Sequence, residues 1–107
     1  MDYLRRLEEE QRKKDYQKCY NEEVARTLAL ENQADDYAMA CKIRALIVAV
    51  EFREEISGSM QQWLSWAKAK ADWYDPTFSA EDEFFGKRKH GHNAEEKKPK
   101  QMRYYWW

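Results

Sequence analysis

The chain holds two imidazoles, His90 and His92, spaced as H-x-H near an acidic run with Asp72, Asp75, Glu81, Asp82 and Glu83. Histidine and carboxylate are zinc-ligand types, but zinc wants three or four ligands held by an ordered frame with supporting hydrogen bonds. Two histidines flanking Gly91 in a polar stretch supply no such frame, so the pair is expected to be solvated, with no metal or cofactor. Cys19 and Cys41 are the candidate nucleophiles. Cys41 falls on an apolar helical arc, where a thiol is inert, and no glycine-rich oxyanion turn is present. The two cysteines fit no metal or redox spacing. Free, buried thiols in a reducing cytoplasm are the expectation, with a Cys19–Cys41 disulfide as the alternative. No phosphate-binding glycine loop occurs, and Asp72 and Asp75 suit capping or cation pairing better than acid–base work. The chain is expected not to be an enzyme.

Binding chemistry is concentrated at the C-terminal end. Residues 87–107 carry seven basic and two acidic side chains and finish in Tyr104, Tyr105, Trp106 and Trp107. Lys87, Arg88, Lys89, Lys97, Lys98, Lys100 and Arg103 could release counterions from phosphates, and the four aromatics could stack on bases. The same aromatics are also favoured anchors in protein interfaces. Against nucleic acid stands residues 31–86, with five basic and eleven acidic side chains, which would repel a polyanion. Residues 1–30 balance at seven of each sign, so the net charge of −1 conceals an acidic body with a basic end.

Three Gly and two Pro in 107 residues leave little material for the turns of an all-β fold. An all-α bundle of one domain is expected. No window approaches the ~18 apolar residues of a membrane span, and the N-terminus shows no leader-like apolar region. A cytoplasmic protein is the reading.

The elements that must position these groups follow from periodicity. Residues 1–30 lack Gly and Pro and read as a charged helix, with Tyr16, Tyr20, Val24 and Leu28 forming one stripe able to lie against the next helix. Its first half is solvated, or an arm for self-association. A bend is expected at residues 31–36, where Asn32 or Asp35 can cap a new helix with Asp35 and Asp36 near its positive end. Residues 39–56 then carry two apolar arcs. One holds Met39, Ile43, Leu46, Ile47 and Val50; the other holds Cys41, Ala45, Val48, Ala49, Phe52 and Ile56. A helix apolar on two sides is expected to be packed from two sides.

Gly58 suits a left-handed stop for this central helix, with Ser59 capping an antiparallel successor over residues 60–74. That helix aligns Trp63, Leu64, Ala67 and Ala71, with Trp66 and Trp73 beside them, and the aromatics are read as core. Asp75-Pro76 closes it. Ser79 and Asp82 resemble a capping box for a short helix ended by Gly86. Residues 87–107 show no apolar period and read as a mobile tail. The domain plan is therefore a charged helix at 1–30, a bundle core at 31–86 and a basic, aromatic-ended tail at 87–107.

Residues 31–86 resemble the C-terminal helical module of a group of uncharacterised bacterial and mobile-element proteins. The shared pattern is Ile43, Arg44 and Ile47; Trp63, Trp66, Ala67, Ala71 and Asp72; Asp75 and Pro76; and Glu81, Asp82, Glu83 and Gly86. The D-W-Y-D-P run is its most specific part. The resemblance implies a helical module in a prokaryotic or phage setting and no activity. Larger members carry an upstream helix-turn-helix-like region without a counterpart here, so DNA binding through it is not implied.

Ile43, Arg44, Ile47, Trp63, Trp66, Asp72, Trp73, Asp75 and Pro76 are accordingly expected to be structural. Arg44, on a polar seam, is expected to pair with Asp72 or Asp75, or with Glu51. Lys87, Arg88, Lys89, Arg103, Tyr104, Tyr105, Trp106 and Trp107 are expected to meet a partner. The function expected is that of a protein-binding accessory or inhibitor protein; the alternative is nucleic-acid binding through the tail. Self-association through the N-terminal helix is a further expectation.

Overall fold

The computed structural model describes residues 2–53 and 55–102. Arg103, Tyr104, Tyr105, Trp106 and Trp107, expected to meet a partner, lie outside the described residues. The described chain is all-α, with helices α1 (Asp2–Glu51), α2 (Gly58–Tyr74) and α3 (Ala94–Lys97).

Helix α1 runs for 50 residues without a break, about 75 Å at 1.5 Å per residue. The bend expected at residues 31–36 is absent. No Gly or Pro interrupts that stretch, and Asn or Asp inside a helix costs at most about 0.7 kcal/mol. Asn32 and Asp35 lie inside α1 and are not caps, and the Asn32 and Asp36 side chains bond to the C-terminal segment. Being continuous with the central helix, the Tyr16–Leu28 stripe cannot fold onto it, and Tyr16, Tyr20, Val24 and Leu28 are exposed.

Helix α1 ends at Glu51, earlier than its apolar pattern suggests, with the Phe52 amide still donating to Val48 O and Arg53 to Val50 O. The cap expected at Ser59 lies two residues upstream. Ser57 is the N-cap of α2 and its Oγ accepts from the Met60 amide at 3.2 Å, so Gly58 is the first helical residue and not a left-handed stop. Glu51 meets Lys68, Ile47 meets Leu64 and Ala67, and Arg44 meets Asp72 and Asp75. The falling numbers on α1 against rising numbers on α2 make the helices antiparallel.

The core is the seam between them. Ile47, Leu64 and Ala67 are buried together, with Ile43, Val50, Ile56, Met60 and Trp63 packed around. Alanines at 40, 67 and 71 let the backbones approach, and the buried Ile47 and Leu64 side chains contribute about 1.5–3 kcal/mol each. Only one of the two predicted arcs is covered, through Ile43, Ile47 and Val50, while its Met39 and Leu46 stay exposed and Ile56 of the other arc reaches the core. Cys41, Ala45, Val48, Ala49 and Phe52 of the other face solvent, because α2 is the only other long helix among the described residues and it packs on the Ile47 side.

After α2, Asp75 caps the helix in extended conformation and the chain turns through Pro76. The short helix expected from Ser79 does not form. Ser79 takes φ 50°, and residues 82–86 close a tight loop in which Asp82 and Gly86 exchange two backbone hydrogen bonds. Asp82 Oδ2 accepts from the Phe84 and Phe85 amides, a local bond that competes with helix, and Gly86 supplies the positive φ of 68° that closes the loop. No helix among the described residues is long and apolar enough to cross a membrane.

Candidate functional site

The segment after Gly86, read from sequence as a mobile tail, runs back along α1 and is held there by charge. Asp36 sits at the centre. Its Oδ2 accepts from Arg88 Nε at 2.9 Å and its Oδ1 from Arg88 Nη2 at 3.1 Å. Lys97 Nζ lies 3.0 Å from Oδ1, and His90 Nδ1 is 2.8 Å from Oδ2. The Asp36, Arg88 and Lys97 side chains are only 5, 8 and 4% exposed. Charges so buried need partners on every polar atom. Arg88 Nη1 also donates to Lys97 O, Lys97 Nζ donates to Asn32 O and His90 O, and Asn32 Nδ2 donates to Gly91 O. Burial alone would raise the Asp36 pKa, but the bonds from Arg88, Lys97 and His90 outweigh it and hold the carboxyl below its ordinary range.

Local structure places these groups. Asn93 caps α3, its Oδ1 accepting from the Glu96 amide, and this one turn brings Lys97 back over Asp36. Gly91 passes so close to α1 that a Cβ there would stand 3.4 Å from Ala29 Cβ. The Arg88 guanidinium lies over Trp73 and Tyr74, with ring centroids 4.9 and 4.6 Å away, coupling this layer to α2.

Two further ion pairs extend the polar line. Arg44 donates from Nη1 to Asp75 Oδ2 at 2.7 Å and from Nη2 to Asp72 Oδ1 at 3.0 Å, while Glu51 meets Lys68 instead. The other Asp75 oxygen accepts from the Thr77 amide and hydroxyl at 2.8 and 2.6 Å. Burial works against the Asp75 charge, but Thr77 and Arg44 prevail and its pKa is lowered. Lys70 pairs with Asp82, holding that carboxyl below its ordinary range, and lies over the Phe85 ring. Trp73 Nε1 donates to Gly86 O at 2.9 Å, fixing the start of the returning segment.

The histidines diverge, since His92 meets Glu96 and not Asp36. No group of three or more metal-ligating side chains is gathered among the described residues. Cys19 and Cys41, expected to be buried, are both exposed, because α1 has no cover on their side. They lie about 33 Å apart on one helix, which excludes a disulfide between them.

One open region is apolar. Two adjoining hollows between α1 and α2, about 420 and 290 Å³, share Leu46 and Trp63. Val50 and Met60 line one; Ile43, Trp66 and Phe85 help line the other. Leu46 and Trp66 are more than half exposed. The sequence placed these residues in a core, whereas the groove leaves one side of each free. Of the predicted partner residues, Lys87 and Lys89 are exposed, but Arg88 is consumed by Asp36. The opposite net charges of residues 31–86 and 87–107 predict that the two attract one another, but not that Asp36 is the centre of the contact.

The described residues form an all-α protein built on a single long helix, with an apolar groove between it and α2. No protein-family model, curated protein or solved structure matches the chain.

Proposed function

We propose that the chain is a non-catalytic protein-binding accessory or inhibitor protein of bacterial, phage or mobile-element origin, working in the cytoplasm by docking on a larger partner. The observation that carries this reading is the groove of Leu46, Val50, Met60, Trp63 and Trp66, an uncovered apolar surface. Exposed tryptophan is a residue type enriched in interface hot spots, where large aromatic rings bury much apolar area. The motif resemblance of residues 31–86 supports the prokaryotic setting.

Nucleic-acid binding through the basic segment is the second reading. It rests on exposed Lys87, Lys89, Lys98 and Lys100, and it is weakened because Arg88 and Lys97 already serve Asp36. Capture from bacterial lysate with the parent chain and with Trp66→Ala, each with and without nuclease, separates the two. A protein retained after nuclease and lost with Trp66→Ala supports groove docking. Recovery of nucleic acid alone, indifferent to Trp66, overturns it in favour of the second reading.

A further inference from the structure

We propose that α1 pairs with a second copy of itself, antiparallel, through the face that α2 leaves uncovered. Positions 20, 24, 27, 31, 34, 38, 41, 45, 48 and 52 of α1 and its last turn are separated alternately by four and three residues, and all ten are exposed. This is a heptad-spaced line of mostly small or apolar residues across more than four heptads, with Thr27 and Glu31 as its polar members, on the side of the helix opposite Asp36, Ala40 and Ile47. Among the described residues, everything that packs on α1 lies on the other side, so this face has no described neighbour within one copy.

The seam is complementary to itself in one orientation. A two-fold axis at position 36 places Ala34 of one copy opposite Ala38 of the other, and Glu31 opposite Cys41. Farther out it places Thr27 opposite Ala45, Val24 opposite Val48, and Tyr20 opposite Phe52. Small residues thus meet at the centre and large apolar ones at both ends, the self-matching required of an isologous contact. A parallel pair in register would set the two Glu31 carboxylates against each other. The antiparallel one separates them by about 15 Å along the axis. Phe52 is 84% and Tyr20 59% exposed, so pairing takes the largest exposed apolar side chains of the seam out of water at both ends. Leu46 lies about 100° around the helix from Ala45, so pairing leaves the α1–α2 groove open on both copies.

Sedimentation equilibrium of the full chain tests the pairing. The parent is expected at twice its 13.0 kDa mass, and Ala38→Arg, which alters an exposed position of the single copy, at the single mass with an unchanged helical circular dichroism spectrum. A parent that stays single at sub-millimolar concentration, or an Ala38→Arg chain that still doubles, overturns the proposal. Orientation is read in a background of Cys19→Ser and Cys41→Ser with a short bismaleimide. Val24→Cys mixed with Val48→Cys should cross-link, and neither variant should cross-link alone. Cross-linking of Val24→Cys with itself would overturn the antiparallel register.

Discussion

Arg88 grips Asp36 through two hydrogen bonds, 2.9 and 3.1 Å, across 52 residues of sequence. That contact turns a charged C-terminal stretch into a third layer of the fold. It also hides the one arginine of the basic run that belongs to the described residues.

Removal of Asp36 is expected to release the layer. In Asp36→Ala, Arg88 and Lys97 lose their buried counter-charge, a loss worth about 3–5 kcal/mol when one partner of a buried pair is taken away. The α1–α2 seam does not depend on it. Hydrogen exchange should therefore quicken at residues 87–97 while the amides of 60–74 stay protected. Equal protection of both segments in the variant would show that apolar contacts, not Asp36, hold the layer.

Acid should act at the same place. Asp36, Asp75 and Asp82 all have folded-state pKa values below the ordinary 3.8. A depressed folded value means that the stabilisation is complete above the unfolded value and fades as pH falls through the folded one. Melting temperature is expected to be insensitive to these groups near neutrality and to drop below about pH 4. Asp36→Asn should show a shallower acid drop than the parent; an identical profile would remove Asp36 from the explanation.

Arg44 distinguishes its two partners by their burial. The Asp75 side chain is 2% exposed and the Asp72 side chain 44%. Asp75→Ala is expected to cost about 3–5 kcal/mol in urea unfolding, since Arg44 and Thr77 both lose their acceptor. Asp72→Ala should cost at most about 1 kcal/mol, the range of a solvent-exposed pair. Equal costs would mean that Arg44 is held by the sum of the charges and not by the Asp75 contact.

Ile47 is the most stringent position of the core, at 3% exposure between Leu64 and Ala67. Ile47→Asp places an unpaired charge in a seam that contains few other buried side chains, and cooperative melting should disappear. A soluble, cooperatively melting variant would show that α1 and α2 are joined mainly by their ion pairs.

The sequence by itself determined what depends on neighbours along the chain. Helix content, the Pro76 stop after Tyr74, the α1–α2 turn near Ser57 and the core role of Ile47 follow from breakers, caps and period, all local or one turn apart. Even locally, competing bonds decided cases that the pattern left close, as where Asp82 captured two amides and replaced a short helix by a loop. Tertiary structure alone decided what Asn32 and Asp36 bind, because the groups that use them, Gly91 and Arg88, stand more than fifty residues away. It also decided which of the two apolar arcs is covered. Periodicity marks both arcs as apolar but carries no information on which one the single long neighbour, α2, will bury.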